Sequence, residues 1–458
     1  MPRSVPAVAV PFARPHPKAS KARMQRLRLQ RLSLRQLGHL ALAYLPYAGA
    51  LVVRGLELVG KLGIYMLAAR LLGAHEAGFF FICLTWAGLA ATLARAGFEK
   101  AVVRHMAGEI ALGHRAAARS AMLTGLGLVT LGGLAATLAT LAVATPAARY
   151  LFSDPDLAWP LTLAATTILP QALCVFTGHA LFGFNRGVAG QFVQNGLWPV
   201  LILGAMLAGV HGLDGMLYTL AAANLIAALV GMTLILRTRL PTPVAAAPGD
   251  VTALPALWRT ALPLGVVEVV QVSLNSLPML ILAMFATPSE VGAFSIANRL
   301  STLIWVVIIA IGSIAAPTFA ALHRQGNWTA LRAQNRRARW LILLCGLPPI
   351  AIMLFLPAPL LLLVGPGFEI AAPALVIMAV GQLINCVLSC QDIMLAMTGH
   401  GGLLRWLNAA QLAVCLAAGA VLIPLFGTNG AALLTALVIA QGAIGTSLAV
   451  RRLMPQAF

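Results

Sequence analysis

Apolar runs about 20 residues long, the length needed to cross roughly 30 Å of hydrocarbon as helix, follow one another along almost the whole chain with short polar breaks between them. They place twelve spans near 44–72, 77–99, 119–145, 157–182, 189–210, 214–236, 261–286, 290–317, 340–364, 369–396, 404–426 and 429–450. The runs are continuous rather than alternating, which predicts helices and excludes the strands of a membrane barrel. One stretch breaks the pattern. In "VVRGLELVGKLG", residues 52–63, the ionisable residues Arg54, Glu57 and Lys61 interrupt an otherwise apolar span. Their i, i+3, i+7 spacing puts them on one narrow stripe of one helix face.

The pattern also repeats. "AHEAGFFFICLTWAGL" from Ala74 aligns with "PSEVGAFSIANRLSTL" from Pro288, bringing Gly78 onto Gly292 and Phe80 onto Phe294. "LFGFNRGVAGQ" from Leu181 aligns with "LAMTGHGGLLR" from Leu395, and "GLDG" ending at Gly215 with "GTNG" ending at Gly430. The offset is 214 or 215 in all three regions, so the repeat unit is six helices. Six is even, so both halves enter from the same side, as parallel repeats about an axis along the membrane normal. The fold expected is all-α and polytopic, with two six-helix bundles over residues 37–236 and 261–450. A basic arm (1–36), a Pro- and Ala-rich linker (237–260) and a short tail (451–458) complete the chain.

The same offset maps the polar stripe onto Glu268, Gln271 and Asn275 in "VVEVVQVSLNSLP". The corresponding helix of each half is therefore polar at the same three positions. Two readings of the first stripe remain at this level. Arg54 can snorkel to the surface while Glu57 and Lys61 neutralise each other at i, i+4, or the stripe lines a water-filled chamber shared by the halves. Arg299 in "SIANRLSTLIW" lies well inside span 8, either as a ligand-gripping cation or as a partner of Asp392 or Glu268. Asp392 lies near the end of span 10. Glu268 is the residue best placed for a proton- or cation-coupling role, since burial raises a carboxylate's pKa. Arg forks and Lys point charges suit phosphate oxygens. Prolines at 170, 199, 263, 278, 317 and 348 mark positions where spans can bend.

Composition refines this picture more than it changes it. The chain is 60% apolar and only 9% charged, where soluble domains carry roughly a quarter charged residues. The net charge of +19 invites a nucleic-acid reading, but 26 of the 31 Lys and Arg fall on the side of the amino terminus. That asymmetry is the positive-inside signature, so the excess encodes topology, with both termini cytoplasmic, and a nucleic-acid partner is not expected. All six cysteines lie in apolar spans without the histidines of a zinc set, so no metal is expected. There is no GxxxxGK[ST] phosphate loop and no cofactor signature. The longest external loop, near 146–156, is about a dozen residues, too short to carry an enzyme's catalytic residues.

"LAARLLGAHEAGFFFICLTWAGLAATLARAGFEKAVVRHMAGE" resembles the first helix hairpin of the Wzx-type polysaccharide flippases of the multidrug/oligosaccharidyl-lipid/polysaccharide exporter superfamily. "ATPSEVGAFSIANRLSTLIWVVIIAIGSIAAPTFAAL" resembles the matching element of their second half, and the resemblance extends over residues 40–450. It implies a flippase that moves undecaprenyl-pyrophosphate-linked oligosaccharide across a bacterial inner membrane by alternating access. It also implies a cationic cavity, to which Arg54, Lys61 and Arg299 would contribute, with membrane lipids, a polysaccharide polymerase and a chain-length regulator as further partners. The long basic arm departs from that pattern. So do the acids beside the bases, which leave open a proton- or cation-coupled exporter of small amphiphiles.

Overall fold

Helices account for almost all of the computed structural model, which describes residues 34–238 and 256–457. The first 33 residues of the expected arm and residues 239–255 of the expected linker lie outside the described residues. In chain order the helices are α1 (Leu34–Arg95), α2 (Phe98–Ala111), α3 (Arg115–Pro146), α4 (Ala158–Gly183), α5 (Gly187–Gln191), α6 (Trp198–Leu207) and α7 (Leu213–Leu236). After the linker come α8 (Leu257–Leu282), α9 (Pro288–Thr302), α10 (Ile304–Arg324), α11 (Trp328–Phe355), α12 (Pro357–Leu362), α13 (Ala372–Val387), α14 (Gln391–Met397) and α15 (Gly401–Leu453). No strand occurs among the described residues.

Nine helical stretches among the described residues are long and apolar enough to cross a membrane. Two of them are double spans. Gly73 (φ 72°) folds α1 back on itself and Gly427 (φ 54°) does the same to α15, both in a backbone region open mainly to glycine. The span expected over 189–210 is helical throughout, with a wide π-helical turn at Phe192–Leu197 between α5 and α6. Counting both limbs of the two hairpins and this helix recovers the twelve spans. Span 8 tightens at Leu303, which stays helical between α9 and α10, and span 10 breaks at Leu388–Cys390, where Cys390 takes a left-handed conformation (φ 66°).

Two apolar clusters hold the helices together. One lies wholly within the first half and includes Val102, Met106, Ile168, Phe176 and Leu181. The other joins the first half, through Phe80 and Phe81 of α1 and Leu217 of α7, to the second half at Phe294, Phe319 and Phe368. Phe80 and Phe294, paired by the repeat, are both fully buried there.

The repeat is visible as exchanged contacts. Gly78 and Gly292 meet each other: a Cβ on Gly78 would strike the Pro288 carbonyl, and one on Gly292 would lie 3.1 Å from the Gly78 nitrogen. Arg299 of α9 sits over the ring of Tyr65 in α1, 5.1 Å from its centroid. Subtracting 214 from Arg299 and adding it to Tyr65 gives Thr85 and Met279. These also touch, the Thr85 hydroxyl donating to the Met279 sulfur at 3.2 Å. A pair of contacts that a single offset interchanges is what a two-fold relation between parallel halves requires.

Candidate functional site

The sequence "TPSE" starts α9 with a complete capping box. The Thr287 hydroxyl accepts from the Glu290 amide, the Glu290 carboxylate accepts from the Thr287 amide, and Pro288 occupies the first turn. Gly292 then lets this helix press against the start of the second limb of α1. Seven residues on, Arg299 emerges over Tyr65.

Tyr65 extends the polar stripe. Arg54, Glu57, Lys61 and Tyr65 stand at i, i+3, i+7 and i+11, within roughly 80° of one another around the helix. Tyr65 meets α9, so this end of the stripe is directed at the second half. The Glu57 carboxylate accepts from Arg54 Nη1 at 2.8 Å through one oxygen and from Lys61 Nζ at 2.8 Å through the other. The Lys61 ammonium also lies 5.7 Å from the ring centroid of Trp198 in α6, and Arg299 is near enough to couple with it electrostatically. Side-chain exposure falls from 56% at Arg54 to 25% at Lys61 and 14% at Glu57. Two cations therefore pair with one carboxylate, and a third, Arg299, lies close to Lys61, an excess of two positive charges in a setting where unpaired charge is costly.

Lys61 reaches Trp198 because α1 packs closely on α6 of its own half. A Cβ on Gly60 would lie 2.8 Å from Pro199 Cβ, and one on Gly63 would lie 3.1 Å from the Leu203 side chain.

The equivalent stripe of the second half differs in character. Glu268, Gln271, Asn275 and Met279 form the equivalent stripe on α8. Glu268 pairs with Lys100 of α2, a residue of the first half. Asn275 donates to the Gln271 carbonyl at 2.8 Å, and both amide side chains are exposed. The two stripes, equivalent by the repeat, are thus cationic on α1 and amide-bearing on α8. Asp392, in the first turn of α14, is exposed and forms no ion pair with Arg299 or Glu268 among the described residues. No cluster of three or more His, Cys, Asp or Glu among the described residues is placed to hold a metal ion.

Both ends of this region are bridged. At the end nearer Gly73, Arg70 donates from Nε to the Val364 carbonyl at 3.1 Å and from Nη2 to the Leu363 carbonyl. At the other end, Gly97 (φ 81°) lies against Gly265. A Cβ at Gly97 would collide with the Gly265 nitrogen, and one at Gly265 with the Ala96 carbonyl. The Lys100–Glu268 pair spans the halves beside this contact. Sequence reasoning missed Lys100, Tyr65 and Trp198. The i+11 spacing was the available signal for Tyr65, and for Lys100, counted among the loop charges, there was none.

Residues 48–323 match the polysaccharide biosynthesis protein family, and residues 263–401 match the MatE family. A search of curated proteins finds no match. Among solved structures, an inward-facing multidrug resistance MATE family transporter of the MOP superfamily aligns with 88% of this chain and 97% of its own, at 14% identity and a TM-score of 0.69. The lipid II flippase MurJ, in an inward closed conformation, aligns over 89% and 87% at 11% identity and a TM-score of 0.68. A MOP superfamily transporter from Pyrococcus furiosus aligns over 89% and 93% at 17% identity and 0.58. The fold is that of the MOP superfamily membrane transporters. Within it, the chain belongs to the polysaccharide biosynthesis protein family.

Proposed function

We propose that this protein is a flippase that carries undecaprenyl-pyrophosphate-linked oligosaccharide across the bacterial inner membrane by alternating access, for surface polysaccharide biosynthesis. The observation that carries the reading is the cationic stripe of α1, where Arg54 and Lys61 pair with Glu57 and Arg299 of the second half comes close to Lys61 over Tyr65. A pyrophosphate brings acceptor oxygens in the arrangement that guanidinium forks and an ammonium satisfy. Family membership and the MOP fold, which MurJ shares, support a lipid-linked cargo. In this reading the pyrophosphate competes with Glu57 for its cations, the exposed amides of Gln271 and Asn275 meet sugar hydroxyls, and the polyprenyl chain stays in the bilayer.

Alternating access asks the two bridged ends to open in turn. Lys100–Glu268 closes the end on the side of the termini, the cytoplasmic side by the positive-inside rule, and Arg70 with Leu363 and Val364 closes the other. Cargo enters when the first bridge parts and leaves when the second does, where a polysaccharide polymerase and a chain-length regulator would receive it.

The direct test reconstitutes the protein in vesicles and follows movement of fluorescent polyprenyl-pyrophosphate-linked sugar between leaflets. Protein-dependent movement is expected. Its absence, with efflux of small cationic dyes in its place, would favour the second reading, a proton- or cation-coupled exporter. That alternative draws on the MatE match and on the placement of Glu57 and Glu268 in the stripes.

The Lys100–Glu268 bridge has its own consequence. Lys100→Glu alone places two carboxylates together at the contact, and transport should fall about tenfold or more because the end near the termini cannot close. The exchanged pair Lys100→Glu with Glu268→Lys should recover most of the rate. Failure of the exchange to rescue a normally folded protein would show that Glu268 acts by itself, as a coupling residue, and not through Lys100.

A further inference from the structure

A second site lies away from the interface between the halves. Leu262, Pro263, Val266, Val267 and Val270 of α8, with Arg405, Asn408 and Ala409 of α15, line a crevice of about 320 Å³. Around α8 its wall is centred roughly 140° from the Glu268, Gln271 and Asn275 stripe, so it opens on the other side of the helix from the proposed cargo path. Leu262 and Val266 are exposed, as expected of side chains facing acyl chains.

A cation at the mouth of this apolar slot needs a counter-charge. Arg405 is exposed and forms no ion pair or hydrogen bond with a carboxylate among the described residues. Its guanidinium curls back to 3.8 Å from the position of a Cβ on Gly402, beside the slot. Two exposed tryptophans fix the depth: Trp258, stacked under Arg259 at 5.3 Å, precedes the slot on α8, and Trp406 adjoins Arg405 on α15. Exposed tryptophan and arginine at helix ends mark the headgroup level of a bilayer. The order is therefore cation at headgroup depth, then an amide (Asn408), then a branched aliphatic wall running inward. A phospholipid presents the same order, phosphate, then ester, then acyl chain.

We infer that this crevice is a binding site for an anionic glycerophospholipid, its phosphate held by Arg405 and one acyl chain laid along Leu262, Val266 and Val270. The bound lipid sits on the segment of α8 that carries Gly265, whose opposite side touches Gly97 of the first half. Occupancy therefore bears on how α8 is held at the contact that closes the near end.

Native mass spectrometry of the purified protein with dioleoyl phosphatidylglycerol and dioleoyl phosphatidylcholine tests this. Wild type should retain phosphatidylglycerol about fivefold better than phosphatidylcholine, the preference expected of one basic residue at a membrane surface. Arg405→Gln should abolish the preference and Arg405→Lys should keep it. Val266→Trp, which fills the slot, should lose retention of both lipids while its melting temperature in detergent confirms folding. Equal retention of the two lipids by wild type, or a preference unchanged in Arg405→Gln, overturns the site. Displacement of the retained lipid by polyprenyl phosphate at equal concentration also overturns it, since the crevice would then belong to the cargo.

Discussion

Replacing Lys61 and Arg299 together by alanine should reduce flipping of polyprenyl-pyrophosphate-linked sugar at least a hundredfold while leaving the protein folded. The magnitude follows from the site. Each residue offers a charge-assisted contact worth about 1.5–3 kcal/mol to a partly buried phosphate, and every 1.4 kcal/mol is about tenfold. Arg54 is the most exposed of the three, so Arg54→Ala should cost less than either of the others. Removing the cations separately also isolates their partners. Without Lys61, Glu57 keeps one of its two hydrogen bonds; without Arg299, the Tyr65 ring loses a cation but no hydrogen bond. Neither change strands an unpaired charge among the described residues, so stability should fall little. Glu57→Gln is the informative complement. It releases Arg54 and Lys61 from their internal counter-ion, and pyrophosphate should bind it more tightly than wild type, with slower release and a lower turnover. Titration of purified variants with inorganic pyrophosphate, beside the vesicle assay, separates the two effects. Full turnover in Lys61→Ala with Arg299→Ala would remove pyrophosphate gripping from this wall.

The helical period made this wall legible in advance, because three charges at i, i+3 and i+7 share a face in any straight helix. The constant offset then identified the equivalent stripe on α8, and it paired Gly78 with Gly292, which meet, and Phe80 with Phe294, both fully buried. Periodicity says nothing about which residues meet across the axis. Arg299 meets Tyr65, not an acid, and Glu268 meets Lys100, which lies in α2 just beyond the second limb of α1 and reads in sequence as a loop charge. The left-handed pair Ala96 and Gly97 ends α1 and redirects the chain so that this lysine faces α8. The wide turn at Phe192–Leu197 and the break at Leu388–Cys390 were equally hidden, since both segments are as apolar as straight spans. Hydropathy measures how well a segment dissolves in lipid, and a broken helix packed inside a bundle dissolves as well as a straight one.

Gly78→Val, or Gly292→Val, should hold the end near Gly73 open and stop transport. Core overpacking commonly costs about 1–3 kcal/mol because side chains give way. Here a Cβ on Gly78 meets the Pro288 carbonyl and α-carbon, and one on Gly292 meets the Ala74 carbonyl and the Gly78 backbone. Backbone in two packed helices cannot rotate aside, so relief requires the halves to separate at this end. The separation would expose Ser295, which is buried here and donates to the Val291 carbonyl at 2.7 Å and to the Met279 sulfur at 3.3 Å. With the six native cysteines replaced, Ser295→Cys should resist a membrane-impermeant maleimide in the parent and react in the Gly78→Val background. Transport should drop more than tenfold, because a carrier held open on one side does not return to load. Gly127→Val is the control: nothing lies within 4 Å of a Cβ at Gly127, so labelling and transport should match the parent. Maleimide protection of Ser295→Cys in Gly78→Val, with transport intact, would mean that the glycine contact packs the helices without gating them.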